Sequence, residues 1–270
     1  MLLQRGHVTV NRFSILRLVG FMSMSVETST RGSWLKSLIH RKEVESQSHI
    51  LSTSPCIYEL QIHEIRPQCV SDYLRQFEHF LNLLPHSGSQ AEIVGSWTCE
   101  IGRQDTAYHL WKHPSGYLCL GEHTDICRRD KDILNYKQKR NTMLRCRTNQ
   151  VCLPFSFWPE PAADRSGTNL YELRSYSLRP GAMIEWGNHW ARGLRLRSKN
   201  LRAVAGLFSH IGEMQVVHHF WAYPNLEVRR KSRDLTWQEP GWNTFVMKTV
   251  PLIRSMHSSI LRPSSFSPMQ

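Results

Sequence analysis

The chain has 270 residues, of which 40% are hydrophobic and 21% are charged, and its formal net charge is +12. This length and apolar content suffice for one large or two small globular domains, and they exclude a chain that is too polar to form a core. No apolar run reaches the roughly 18 residues that a membrane-spanning helix needs, so no such helix is predicted. The positive charge leaves nucleic acid and an anionic membrane surface open as partners.

The amino terminus has the composition of a targeting segment. Residues 1–26 contain Arg5, Arg12 and Arg17 together with serine and aliphatic residues, and they contain no acidic residue. This composition is typical of a mitochondrial transit peptide. A secretory signal is the competing interpretation, but arginines interrupt the apolar stretches. We predict a transit peptide over residues 1–30 and a protein that is targeted to the mitochondrial matrix.

Residues 31–56 are predicted to be a linker or a loosely docked arm, because serine and charged residues dominate them. They contain one apolar cluster, which consists of Trp34, Leu35, Leu38 and Ile39. Such a short cluster binds a membrane interface weakly, so packing against the body of the protein is favoured.

The most informative feature is an internal duplication. The string LYELRSYSLRP at residues 170–180 has a copy, IYELQIHEIRP, at residues 57–67. Farther along, His109-Leu110-Trp111 matches His219-Phe220-Trp221, and Gly95 falls near Gly206. A repeat of this length decides the fold, because each copy has to be one structural unit.

Each unit is predicted to follow the order strand, helix, strand, strand, helix, strand, which is the ferredoxin-like plan. In the first unit, residues 57–158, strands are predicted at 57–65, 93–101, 106–113 and 151–158, and helices at 70–84 and 121–147. In the second unit, residues 170–262, strands are predicted at 170–178, 203–211, 214–223 and 243–251, and helices at 181–198 and 226–238. Residues 159–169 are predicted to be a linker and residues 263–270 a tail.

Two helices can cover only one face of each predicted sheet, and the other face is left apolar. Two such sheets can bury these faces against each other. The strand at residues 170–178 has Tyr171 and Leu173 in one phase and Tyr176 and Leu178 in the other. This pattern indicates either a bulge or a strand that is buried on both faces.

Several strings resemble the NIPSNAP family of mitochondrial proteins. They are YELRSYSLRPGAMIEWGNHWA at 171–191, IGEMQVVHHFWAY at 211–223, RGSWLKSL at 31–38 and TVPLIRSM at 249–256. The resemblance covers nearly everything after about residue 31, and it implies a fold like that of dimeric α/β-barrel proteins. We therefore expect an α+β fold in which tandem duplicated ferredoxin-like units (βαββαβ) form such a barrel within one chain.

The resemblance also implies a function. NIPSNAP proteins are linked to mitophagy, so we expect a non-enzymatic protein that recruits autophagy adaptors and ubiquitin-like autophagy modifiers to damaged mitochondria, at the outer surface when import fails. The alternative is a small-ligand-binding or monooxygenase-like enzyme that uses the cleft between sheet and helices, which fold analogy alone supports. The sequence does not decide whether the protein is a homo-oligomer.

Eight side chains are candidates for lining this cleft: Tyr171, Glu185, Trp186, His189, Trp190, His218, His219 and Trp221. Glu185 and His189 are four residues apart on a predicted helix and could form an acid–base pair, although a surface pair at this spacing is commoner. Strand alternation places His218 and His219 on opposite faces. The seven cysteines form no CxxC pair, and no zinc signature or Gly-rich phosphate loop occurs, so we expect no metal or cofactor.

The segment at residues 121–147 is strongly basic, and five of its cations are candidates for contact with anionic lipid. They are Arg128, Arg129, Lys137, Lys139 and Arg140. A solvated helix face is the simpler interpretation, because acidic and apolar residues are interleaved with these cations. Nucleic acid is not expected as a partner, since no recognition motif accompanies the basic segment.

Overall fold

The computed structural model describes residues 46–165, 167, 169–199 and 201–270. Within this part of the chain, the strands form one closed antiparallel barrel, and helices pack on its outer face. The predicted α+β barrel is confirmed. The predicted transit peptide and the apolar cluster of the arm lie outside the described residues.

The two repeats have the same order of elements. A short helix, α1 (Gln47–Leu51), precedes the first repeat. The first repeat consists of β1 (Ile57–Ile65), α2 (Val70–Ser87), β2 (Glu92–Ile101), β3 (Thr106–His113), α3 (Tyr117–Arg129), α4 (Lys131–Met143) and β4 (Leu144–Pro154). The second consists of β5 (Leu170–Leu178), α5 (Met183–Arg197), β6 (Arg202–Ile211), β7 (Val216–Tyr223), α6 (Leu226–Gln238), α7 (Trp242–Thr249) and β8 (Ile253–Pro263).

Each repeat contains one helix more than predicted. The basic segment predicted as one helix at residues 121–147 forms α3 and α4, because the carboxylate of Asp130 accepts hydrogen bonds from the backbone N–H groups of Asp132 and Ile133 and caps a new helix. The last strand then begins at Leu144, before the predicted start at residue 151. The order βαββααβ therefore extends the ferredoxin-like plan by one helix.

The second repeat also contains a helix, α7, that the sequence analysis did not predict. The strand predicted at residues 243–251 is wrong, since this segment contains helix α7 and a 3₁₀ turn, and strand β8 follows it. Trp242, Phe245 and Thr249 are the buried residues of α7, and their spacing of three and four residues matches one face of a helix.

Two cross-repeat pairings close the barrel. The strand order is β4-β1-β3-β2 in the first repeat and β8-β5-β7-β6 in the second. Strand β2 pairs with β8 and strand β4 with β6, both antiparallel. The repeats also share turns: Gly102 and Gly212 have positive φ angles, and three residues later Asp105 and Gln215 have φ angles of 58° and 62°. The predicted duplication is therefore present in the backbone.

The barrel interior is filled by apolar side chains from both repeats. They include Tyr58, Leu60, Trp97, Leu110, Tyr171, Leu173, Leu207 and Phe220. The ring of Trp97 lies 5.4 Å from the rings of both Tyr171 and Phe220, so aromatic contacts join the two halves. Tyr176 and Leu178 pack instead against the helices. Strand β5 is thus buried on both faces, which explains its two hydrophobic phases.

The C-terminal tail, residues 264–270, connects both repeats at one end of the barrel. The Ser264 N–H donates to the carbonyl of Ser96 at 2.9 Å, and the Ser96 N–H donates to Ser267 Oγ at 3.0 Å. Met269 packs in the interior cluster, where it is 1% exposed. The tail therefore adds to the contacts that hold the two sheets together.

Candidate functional site

Two clefts occupy equivalent places in the two repeats, between the outer face of the barrel and the helices. The first-repeat cleft lies against β1, β4 and helices α2–α4 and has a volume of about 560 Å³. The second-repeat cleft lies against β5, β8 and helices α5–α7 and has a volume of about 200 Å³. Their side chains differ at most equivalent positions, so their chemistry differs.

The second-repeat cleft is largely filled by aromatic rings. Trp186 and Trp190 line it and are 1% and 3% exposed. Behind them, the ring of His219 lies 4.3 Å from Trp158 and 4.4 Å from Trp190. Neither ring nitrogen of His219 has a hydrogen-bond partner among the described residues. This filling counts against an enzyme active site in the second repeat.

His219 is neutral in this environment. Burial lowers the pKa of His219 well below its ordinary value, and the positive charges of Arg197 and Arg174 lower it further. Trp221 belongs to the same aromatic cluster, with its ring 5.2 Å from Trp158. Four of the predicted residues, Trp186, Trp190, His219 and Trp221, are therefore brought together, but as packed core.

The other predicted residues lie elsewhere. Tyr171 faces the barrel interior, and its hydroxyl donates to the carbonyl of Gln270 at 3.2 Å. Glu185 Oε1 lies 3.6 Å from His189 Nε2, and the Glu185 side chain is 61% exposed, so this pair lies on the surface. His218 lies on the opposite face of β7 from His219, as predicted, and its ring nitrogens contact Ser175 Oγ and Gln150 Oε1 at 2.8 and 2.7 Å.

A hydrogen-bonded chain of buried side chains leads to the first-repeat cleft. Ser96 Oγ lies 2.9 Å from His109 Nδ1, and the Tyr73 hydroxyl lies 2.7 Å from His109 Nε2. The same hydroxyl contacts Nδ1 of His63, which lines the cleft. Burial and the positive charges of two nearby arginines lower the pKa of His63 to about 3, so this ring is neutral at pH 7. Burial also lowers the pKa of His109 well below its ordinary value, so one tyrosine hydroxyl links two neutral imidazoles.

The five cations predicted to contact lipid do not share one exposed surface. Arg129 and Lys139 are exposed. Arg128, Lys137 and Arg140 line the first-repeat cleft, and Arg140 is only 7% exposed. A planar membrane surface cannot reach a side chain that is buried to this extent, so the five do not act together as a lipid-binding face.

Two simple classes of site are not found in the described part of the chain. No group of three or more His, Cys, Asp or Glu side chains is placed so that it could hold a metal ion there. None of the described helices has both the length and the apolar content needed to cross a bilayer.

Comparisons with known proteins identify the family. A sequence model of the NIPSNAP family matches residues 171–268, which contain the second repeat. The chain is 41% identical to Protein NipSnap homolog 2 of Danio rerio, and the alignment covers 98% of this chain and 92% of that protein. The chain belongs to the NIPSNAP family. It is also 41% identical to Protein NipSnap homolog 2 of Homo sapiens, over 95% of this chain and 92% of that one.

Solved structures share the fold of this NIPSNAP chain. A putative monooxygenase from Fusobacterium nucleatum superimposes with a TM-score of 0.59, and the alignment covers 78% of this chain and 93% of that one. The two sequences are 11% identical, so the likeness concerns the fold alone.

In this NIPSNAP protein, the hydrogen-bonded network around the buried histidine occurs in the first repeat only. The strand registers place Gly206 opposite His219 where the first repeat has Ser96 opposite His109. In the second repeat, Trp186 and Tyr176 pack near His219, whereas Tyr73 and His63 surround His109 in the first. The first-repeat cleft therefore has a polar wall at the positions where the second has an aromatic one.

Replacing Tyr73 with phenylalanine tests this polar wall. The change leaves nitrogens of two buried imidazoles without their partner, so we expect the free energy of unfolding to fall by about 2–4 kcal/mol. Tyr58→Phe is the control, because Tyr58 is equally buried and its hydroxyl forms no hydrogen bond with any described residue. The control is expected to lose less than about 1 kcal/mol. Equilibrium urea unfolding of both variants checks this, and equal losses would contradict the assigned hydrogen bonds.

Proposed function

We propose that this NIPSNAP chain is a non-enzymatic interaction protein of mitochondria. In healthy mitochondria it is imported toward the matrix. When import fails it stays at the outer surface, recruits autophagy adaptors and ubiquitin-like autophagy modifiers, and marks the damaged organelle for mitophagy. The observation that carries the proposal is the similarity to NipSnap proteins over 98% of the chain.

The amino terminus supports the location. Residues 1–26 contain Arg5, Arg12 and Arg17 and no acidic residue, which is the charge pattern of a matrix-targeting segment. A protein whose import depends on such a segment accumulates outside when the membrane potential collapses. The same segment therefore gives a physical reason for a change of location in damaged mitochondria.

The surface of the second repeat supports an interaction role. At the mouth of its cleft, Trp237, Val250 and Met256 are 54%, 56% and 59% exposed. Large apolar side chains that group on a surface are typical of interaction sites. The aromatic filling of this cleft, with Trp186 and Trp190 packed in it, favours binding of partners over an enzyme activity.

One experiment measures both the location of the protein and the partners that it captures. The full chain with a C-terminal proximity-labelling enzyme is expressed in cells, and labelled proteins are identified before and after depolarisation of the mitochondria. We expect protection from added protease and no labelled adaptors before depolarisation, and protease sensitivity with labelled adaptors afterwards. The matched variant replaces Arg5, Arg12 and Arg17 with serine and is expected to label adaptors without depolarisation.

Two results would contradict the proposal. In one, the arginine variant remains protected from protease in healthy mitochondria, which would remove the targeting role of the amino terminus. In the other, the protein reaches the outer surface after depolarisation but labels no autophagy adaptor or modifier, which would remove the recruiting role.

A further inference from the structure

The first-repeat cleft concentrates positive charge. Four cationic side chains line it: Arg128, Lys137, Arg140 and Arg147. Arg140 Nη2 donates to Asn141 Oδ1 at 3.0 Å, but its Nε has no hydrogen-bond partner among the described residues, although the side chain is buried. A buried N–H group without an acceptor is unfavourable, so this guanidinium is suited to donate a hydrogen bond to an anionic ligand.

Three of these four cations have no described carboxylate partner. Lys137, Arg140 and Arg147 form no ion pair within 4.0 Å with any described acidic side chain, and Arg128 is 3.7 Å from the exposed Asp125. Burial lowers the pKa of Lys137, and the positive charges of the neighbouring arginines lower it further. Like charges therefore crowd in the cleft, and an anion would relieve their repulsion.

One acidic group and two histidines share the cleft with the cations. Glu59 accepts a hydrogen bond from the side-chain amide of Asn149, and its other oxygen lies 3.7 Å from His113 Nε2. Burial raises the pKa of Glu59, but the polar contact with His113 and the hydrogen bond from Asn149 outweigh it and lower the pKa below its ordinary value, so the carboxylate is ionised. Burial and nearby positive charge lower the pKa values of His63 and His123 to about 3 and about 4. Near pH 7, three cations without a described carboxylate partner, Lys137, Arg140 and Arg147, thus share the cleft with one carboxylate.

The second repeat shows that the fold does not require these cations. Strand pairing makes Cys152 of β4 equivalent to Leu261 of β8. In this register, the places of Arg128, Lys137, Arg140 and Arg147 are taken by Trp237, Val246, Thr249 and Met256, which line the second-repeat cleft. Three apolar residues and a threonine occupy the same positions of the same fold, and Trp237 and Met256 among them are more than half exposed. The fold therefore does not depend on cations at these positions.

We propose that the first-repeat cleft binds a small organic anion with at least two negative charges, a phosphate ester or a polycarboxylate, between Lys137, Arg140 and Arg147. The volume of about 560 Å³ is in the range of small-molecule sites. Arginine donates paired hydrogen bonds to carboxylate and phosphate oxygens, and lysine adds a point charge. The inference is independent of the proposed role in mitophagy, because it concerns a cleft and not the apolar surface.

Isothermal titration calorimetry on the full chain tests this site. The probes are citrate for polycarboxylates and glucose 6-phosphate for phosphate esters, with acetate as the singly charged comparison, all at an ionic strength of about 0.15 M. We expect one of the two multivalent anions to bind and acetate not to bind. Arg147→Gln, at an exposed position, and Lys137→Met are each expected to weaken that binding about tenfold or more.

Lys139→Gln is the matched control, because Lys139 lies on the same helix as Lys137 but is exposed and does not line the cleft. It is expected to leave the affinity unchanged. The proposal is overturned if neither anion binds, or if Lys139→Gln weakens binding as much as Arg147→Gln. It is also overturned if the protein binds only vesicles that contain phosphatidylserine. Circular dichroism establishes whether each variant is folded. If Lys137→Met is not folded, the result for Arg147→Gln decides the test.

Discussion

Replacing Glu172 with alanine is expected to lower the free energy of unfolding by about 3–5 kcal/mol. The carboxylate is fully buried under the helices of the second repeat. It accepts hydrogen bonds from Arg174 at 3.0 Å, Arg229 at 2.7 Å, Tyr223 at 2.9 Å and Ser258 at 2.7 Å. Removal of this one acceptor leaves two guanidinium groups and two hydroxyls without this partner, around a carboxylate position that is 0% exposed.

The contribution of Glu172 should also depend on pH. Burial raises the pKa of Glu172, but the hydrogen bonds from Arg229 and Ser258 and the charge of Arg174 outweigh it and lower the pKa well below its ordinary value. A carboxyl group whose pKa is lower in the folded state stabilises the fold above its unfolded pKa, about 4.3. That stabilisation is lost as the pH falls below this value toward the folded pKa.

Urea unfolding at pH 7 and at pH 3 measures both effects. Glu172→Gln keeps the shape but cannot titrate, so its loss of stability between the two pH values should be smaller than that of the native chain. Glu227→Ala is the control, because Glu227 pairs with Arg230 on the exposed side of α6. Its removal should change the free energy of unfolding little, because exposed ion pairs contribute little to stability. A Glu172→Ala loss no larger than the control would contradict the buried network.

The duplication and the barrel could be predicted because they depend on patterns within short segments of the sequence. The strings at residues 57–67 and 170–180 share both sequence and hydrophobic phase, and β1 and β5 have the same pattern of burial. Two sheets with an apolar second face have few ways to bury it. The break between α3 and α4 was missed because Asp130, which caps α4, lies in a continuous run of polar residues without Gly or Pro.

The polar cleft was missed for a different reason. Glu59 is on β1, His123 on α3 and Arg147 on β4, so no local motif contains them. The available signal was the alignment of the second halves of the two repeats, where Lys137 and Arg140 stand opposite Val246 and Thr249. A charge that is present in one copy of a duplicated unit and absent in the other indicates a role other than packing. Four of the predicted residues of the second repeat, Trp186, Trp190, His219 and Trp221, were conspicuous instead because they belong to the aromatic core.

The two repeats are expected to unfold as one unit. A single buried charge in the first repeat should therefore destabilise the second repeat as well. Leu110 lies in the barrel interior and is completely buried. Leu110→Asp places an ionised group there without a partner, and we expect a loss of more than about 4 kcal/mol. Because Trp97 contacts Tyr171 and Phe220 across the interior, the second sheet loses its covering when the first sheet opens.

Native-state hydrogen exchange distinguishes unfolding of both repeats as one unit from independent unfolding of each repeat. In Leu110→Asp, the amides of β5 and β7 should lose protection to the same extent as those of β1 and β3, since both interior faces become exposed in one step. Leu134→Asp is the control, because Leu134 lies on α4 and is 38% exposed, so it should lower protection little in either repeat. If β5 and β7 keep native protection while β1 and β3 lose it, the repeats are separate folding units. The apolar faces of the two sheets would then not depend on each other for burial.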